Sequence, residues 1–280
     1  MVSAADDFAR DGYLVIPDAF APAMLDIVRQ RIVEMVDAFE PASVSTVFST
    51  TDHQHGRDDY FLTSGDKTRF FYEEGVLDDV GNLLVDKHVA LNKIGHAMHD
   101  QDPVFDAFCR SQPFADAAEI AGFDEAVLLQ SMVIFKNPRV GGEVTAHTDH
   151  TFLWTEPQSA IGFWVAFDDA TVDNGCLWAL QGGHRLPVKS KFLRTADDTG
   201  TTMEILDDAP FPESGWVPLE AKAGTMVLLH GTLPHRSEPN TSDHSRLAFT
   251  LHCIERGAQY PTSNWLRRGD DLPLRNFSGV

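Results

Sequence analysis

The sequence predicts a mainly β protein with flanking helices, and three observations predict it. Apolar runs of strand length, bounded by Gly and Pro, fill the second half: residues 128–137 (LLQSMVIFKN), 224–230 (GTMVLLH) and 245–254 (SRLAFTLHCI). In the first half, Met24, Leu25, Val28, Ile32, Val33 and Val36 recur at helical spacing. No internal repeat, low-complexity tract or linker divides the 280 residues. The chain therefore reads as one domain, residues 1–280. It has a helical N-terminal part to about residue 125, a β core over about 126–256 and a tail over 257–280.

Taken in order, residues 3–10 predict a short helix and residues 13–16 (YLVI) a strand. The first long helix spans residues 21–39. Residues 40–75 are polar, aromatic and irregular, and are expected to cover the substrate side of the core. Leu77, Val80, Leu83, Leu84, Leu91, Ile94 and Met98 predict a second helical stretch that ends before Pro103. A shorter helix follows over 113–121. Strands dominate from about 127 to 254, with residues 188–213 as a long excursion between two of them.

Within the β half, His147-Thr148-Asp149 puts a histidine and a carboxylate on one face of a strand, because side chains alternate with period two. Residues 143–147 resume a strand after the Gly141-Gly142 break, and His235 follows a turn over 231–234. Two His and one carboxylate form the facial triad of non-haem Fe(II) oxygenases. Arg246, near the start of the last strand and eleven residues after His235 across a hairpin, offers a rigid cationic fork for a carboxylate. The twelve histidines leave rivals. His230 ends a strand and competes with His235 as third ligand. His96 and His99, at i and i+3, read as a helix surface, and His53-Gln54-His55 as a polar loop. His252 shares a strand face with Arg246 and reads as core.

The run from Gln130 to Trp178 resembles the phytanoyl-CoA dioxygenase family. So do Phe70-Phe71-Tyr72-Glu73, Asn92-Lys93-Ile94-Gly95-His96, His230-Gly231, His235-Arg236-Ser237 and Asn264-Trp265-Leu266. These motifs keep their order over nearly the whole chain. The resemblance implies a double-stranded β-helix, a cupin-like jelly roll, as the core. It implies Fe(II) on His147, Asp149 and His235. It implies 2-oxoglutarate as co-substrate with O2, its distal carboxylate on Arg246 beside Ser237, and Lys93, Met132 and Trp164 around it. Met132 and Gln130 share one strand face. The expected activity is hydroxylation of a small or medium-sized organic metabolite with release of succinate and CO2. The sequence departs from the family at His150, where a small residue is usual and the site entrance could change. It departs again at Gln181-Gly182-Gly183-His184, where only a turn should change. Two rival classes stay open: a cupin-type metal enzyme without 2-oxoglutarate, and a non-catalytic 2-oxoglutarate-binding protein.

Composition sets bounds. With 43% apolar residues the chain can bury a substantial core. No apolar run approaches the roughly 18 residues of a membrane span, so no membrane partner is expected. Cys109, Cys176 and Cys253 are isolated and odd in number, which suits free thiols in a reducing compartment. The acidic N-terminus lacks the order of a signal peptide, and a cytoplasmic location is expected. A net charge of -20, from 22 basic and 42 acidic residues, disfavours nucleic acid and gives no encouragement to a polyanionic acyl-CoA. A small apolar molecule with one polar handle is the expected partner. Loops at 44–75, 150–160 and near Trp265 are expected to select it.

Overall fold

The structure, a computed structural model, describes residues 3–41, 44, 46–47 and 59–280. His53-Gln54-His55 lies outside the described residues. The chain opens with α1 (Ala4–Asp11), β1 (Tyr13–Ile16) and α2 (Pro22–Ala38). Ser3 starts α1 with a reciprocal cap: its hydroxyl accepts from the Asp6 amide, and the Asp6 carboxylate accepts from the Ser3 amide, both at 3.1 Å. In α2, Pro22 sits in the first turn, and Leu25, Val28, Ile32 and Val36 form the buried stripe. Then come α3 (Asp59–Leu62), β2 (Thr68–Tyr72), α4 (Lys87–Ala90), β3 (Leu91–His96), α5 (Met98–Gln101), α6 (Pro103–Cys109) and α7 (Gln112–Ala121).

The expected helix over 77–98 does not form as one element. The Asp78 carboxylate accepts from the Val80 and Asn82 amides and closes a loop instead. Only residues 87–90 are helical before β3 begins, and β3 is drawn into a sheet between β2 and β4 (Ala126–Ile134). Sheet pairing on both edges overrides the local helical spacing.

The second half continues with β5 (Val144–His147), α8 (Asp149–Phe152), β6 (Ile161–Ala166) and β7 (Leu177–Leu180). It goes on through β8 (Ser190–Arg194), β9 (Thr201–Ile205), β10 (Trp216–Leu219), β11 (Met226–His230), β12 (His235–Ser237), β13 (Ala248–Glu255) and β14 (Arg275–Asn276). A large antiparallel sheet runs β1-β11-β6-β13-β4-β3-β2, with β14 added to β4. A smaller sheet runs β10-β7-β12-β5, and β8 and β9 form a separate hairpin inside the predicted excursion. The N-terminal part thus carries three strands of the large sheet as well as helices. β12 and β13 belong to different sheets, so Arg246 does not follow His235 across a hairpin; the chain crosses between sheets.

Alternation along the strands builds the two faces. Phe163, Val165, Phe249, Leu251 and Cys253 pack outward against Val28, Ile32, Phe105, Phe108 and Phe114 of the helices. Trp164, Ala166 and Ala248 face inward and meet Leu177, Ala179 and Leu219 of the smaller sheet. This is a jelly roll: two sheets face to face, with helices on the outer face of the larger one. Cys109, Cys176 and Cys253 are buried free thiols. Among the described residues no helix is long and apolar enough to cross a membrane.

The tail is pinned to α5 through Asp100, whose side chain is 1% exposed. Arg268 and Arg275 both pair with it, Arg110 lies at 3.3 Å and the His99 Nε2 at 3.2 Å. Burial pushes the carboxyl up, but His99, Arg275 and Arg268 together outweigh it and hold the group well below its ordinary 3.8. Because the folded-state value is depressed, this stabilisation is present above pH 3.8 and fades as pH falls below it. Asp100→Asn should cost about 3–5 kcal/mol in urea unfolding at pH 7. It should also flatten the acid limb of the stability profile. Unchanged unfolding at pH 7 would show that the arginines need no anion.

Candidate active site

β12 lies between β5 and β7, and its first residue, His235, stands opposite His147, the last residue of β5. Thr148 stays extended (φ −120°, ψ 140°), so the alternation of β5 carries on for one residue. Asp149 therefore faces the same way as His147 although it begins α8, not a strand. The Asp149 Oδ1 lies 3.6 Å from the His235 Nε2 and 3.8 Å from the His147 Nε2. Ligand atoms of all three residues lie within 4.8 Å of one another.

The histidines are preset. The Nδ1 of His147 donates to the Thr145 carbonyl at 2.8 Å, and that of His235 to the Leu233 carbonyl at 3.0 Å. A carbonyl only accepts, so each Nδ1 carries the proton and each Nε2 presents a lone pair to the common point. Burial, then the neighbouring His235, lowers His147 to about 4 and keeps it neutral. Burial pushes the Asp149 carboxyl up, but His235, His252 and His147 together hold it well below the ordinary carboxylate range. Two imidazoles and one carboxylate fit a divalent iron.

A cavity of about 120 Å³ runs from this triad toward Arg246. Met132, Trp164, Ser237 and Thr250 line it. Arg246 is 2% exposed, and its Nε and Nη1 have no hydrogen-bond partner among the described residues; its guanidinium carbon lies 5.7 Å from the Trp164 ring centre. Burial lowers it to about 10, which leaves it cationic at neutral pH. A buried cation with idle donors calls for an anion, and a carboxylate matches its fork.

A larger cavity of about 480 Å³ adjoins the first and shares Met132, His147, Asp149 and His252 with it. Its walls are mainly apolar, with Phe61, Phe71, Phe152, Phe192 and Trp265 among them, and Gln130 beside Met132 as the strand alternation requires. Lys93 lines this cavity and not the smaller one. It sits on β3 with its ammonium 5.2 Å from the Phe71 ring centre, and burial drives its pKa well down. The expected selector loops contribute Thr46, Val47, Phe61, residues 151–153 and Trp265. The hairpin β8–β9, inside the expected excursion over 188–213, adds Phe192 and Met203.

Three of the rival histidines and His150 have partners of their own outside the triad. The His230 Nδ1 is engaged by the Thr232 hydroxyl at 2.9 Å, and its ring packs on His184 and Phe8. His150 is fully buried against Trp154 and lines neither cavity itself. His96 and His99 are not a helix-surface pair. His96 ends β3 and His99 lies in α5; both are fully buried and bonded to Ser64 and Ser131. Gly182, at φ 74°, forms the expected turn.

His252 is the residue the sequence reading undervalued. Its Nε2 lies 3.2 Å from the Asp149 Oδ2, and it lines both cavities. Thr250, on the same strand face, has a buried hydroxyl without a hydrogen-bond partner among the described residues. The signal was the alternation 246, 248, 250, 252, which aims all four residues at one side.

A cation on this triad would keep a free side toward both cavities, with Arg246 waiting at the end of the smaller one. That pairing, on a jelly roll, defines a class: the non-haem iron, 2-oxoglutarate-dependent dioxygenases. Residues 8–248 match the family described as Phytanoyl-CoA dioxygenase (PhyH), and the chain belongs to that family. It is 42% identical over 275 residues to phytanoyl-CoA dioxygenase domain-containing protein 1 of Mus musculus, covering 95% of this chain and 94% of the relative. Among solved structures, the α-ketoglutarate-dependent epimerase SnoN of nogalamycin biosynthesis superposes with a TM-score of 0.65 at 18% identity, over 96% of this chain and 88% of that one. EvdO2 from Micromonospora carbonacea var. aurantiaca, complexed with 2-oxoglutarate, does so with a TM-score of 0.57 at 21% identity over 93% of each.

Gly162 on β6 leaves the room that Asp149 occupies: a Cβ there would stand 2.9 Å from the Asp149 Oδ2. Gly162→Ala should therefore weaken Mn(II) binding by about 10–100-fold, the range seen when groups that orient metal ligands are disturbed. Calorimetric titration of the two proteins checks this. Equal affinities would mean that the carboxylate does not need that space.

Proposed function

We propose that this dioxygenase hydroxylates a small or medium-sized, largely apolar organic metabolite, and that the triad and the two cavities divide the work. His147, Asp149 and His235 hold the iron. Arg246 receives the distal carboxylate of 2-oxoglutarate, with Ser237 and Thr250 as neighbouring hydroxyls and Trp164 and Met132 as walls. Lys93 acts from the larger cavity, where its ammonium can reach either an anionic end of the co-substrate or a polar group of the metabolite. When bound, iron and 2-oxoglutarate supply an oxidant for an unactivated C–H bond and leave succinate and CO2. The chain's own residues bind, orient and keep water out.

One observation carries this reading. The largely apolar cavity of about 480 Å³ and the slot lined by Arg246 share His147 and Asp149 as walls. A co-substrate and a metabolite can then each reach the metal from its own cavity. The volume lies within the usual range for small-molecule sites. The aromatic walls favour apolar surface, and Gln130, Glu73 and Lys93 can fix one polar handle. The net charge of -20 works against a polyanionic acyl-CoA.

With Fe(II) and 2-oxoglutarate, the protein should release succinate slowly alone and faster with a metabolite that fills the cavity. Asp149→Ala should cut succinate formation by more than about 100-fold, beyond the loss expected from disturbing a supporting group. Succinate at the wild-type rate from that variant would remove Asp149 from the metal site.

A further inference from the structure

Asp149 has two oxygens and the structure gives them different surroundings. Oδ1 is directed at the Nε2 atoms of His235 and His147, at 3.6 and 3.8 Å. Oδ2 points away, to the Nε2 of His252 at 3.2 Å. An ionised carboxylate only accepts, so this contact is favourable with the proton on the His252 Nε2. The Nδ1 of His252 is buried and has no hydrogen-bond partner among the described residues, so Asp149 is the polar contact of this ring.

The backbone is arranged around that contact. His252 faces Gly162 directly across the β13–β6 ladder. A Cβ on Gly162 would stand 2.9 Å from the Asp149 Oδ2 and 3.3 Å from the His252 Nε2. The absence of a side chain at 162 lets the carboxylate and the imidazole meet over the strand.

We infer that His252 is a positioning residue that makes Asp149 a one-oxygen ligand. A carboxylate with both oxygens free can occupy two positions on a cation; with one oxygen engaged by an N–H, it offers one. His252 thereby sets the rotation of the carboxylate and preserves room on the metal for the co-substrate and dioxygen. The inference rests on the reading of the triad as a metal site and adds to it a residue that does not touch the metal.

The test uses Co(II) as the probe, which binds without turnover and reports its ligand sphere by visible absorption. Wild-type protein, His252→Phe and His252→Gln are titrated, and the apo-protein melting temperature of each is recorded. His252→Phe keeps a ring of similar size but no donor. It should raise the Co(II) Kd by about 10–100-fold and change the shape of the visible band. His252→Gln, which keeps an N–H, should recover most of both. If His252→Phe does not fold, His252→Asn replaces it, since its amide is too short to reach Oδ2. Wild-type Kd and band in the donor-free variant, whatever its melting temperature, would overturn the inference and leave the triad reading standing. No Co(II) binding by the wild-type protein would overturn both.

Discussion

His235 meets His147 because three-residue β12 is held on both edges, by β5 and by β7. Every later feature of the site depends on that pairing. It puts two imidazoles with ring centres 4.3 Å apart on one side of the smaller sheet. Each ring is then locked by a carbonyl two residues before it in sequence, so the strands that place the histidines also choose their tautomers. Lys136 reinforces the junction. Its ammonium donates to the carbonyls of Gly142, Ser237 and Glu238 at 2.8, 3.4 and 2.5 Å, tying the approach to β5 to the end of β12.

The larger sheet supplies the opposite wall by simple alternation. Along β13, Phe249, Leu251 and Cys253 bury against the helices and anchor the strand. The residues between them are thereby committed to the interior, where Thr250 and His252 line the slot. Arg246 reaches the same slot from just before the strand, its backbone amide held by the Lys136 carbonyl at 3.1 Å. Burying a guanidinium costs free energy unless its donors are met. Idle Nε and Nη1 donors are what the proposed carboxylate of 2-oxoglutarate would meet.

Much of this was legible in the residues. Strand alternation identified Met132 with Gln130, and the His-X-Asp spacing identified one face even though Asp149 begins a helical turn. What stayed hidden depended on long-range pairing. Lys93 looked helical because Leu91, Ile94 and Met98 have helical spacing, yet β3 is claimed by β2 and β4 on both edges. The step from His235 to Arg246 looked like a hairpin, since eleven residues suit one, whereas the chain crosses from one sheet to the other. His252 read as core because its importance lies in a partner more than a hundred positions away. A buried histidine beside a carboxylate is invisible until the fold brings them together.

The central claim is that one slot joins the His147–Asp149–His235 triad to Arg246 and receives 2-oxoglutarate. Anaerobic titration of 2-oxoglutarate into the Fe(II)-loaded protein tests it most directly. If the slot holds 2-oxoglutarate between the metal and Arg246, a saturable visible charge-transfer band forms in the wild-type protein and is lost in Arg246→Ala at the same concentration. A protein that binds iron stoichiometrically and shows no band, or an Arg246→Ala variant that saturates like the wild type, would contradict it.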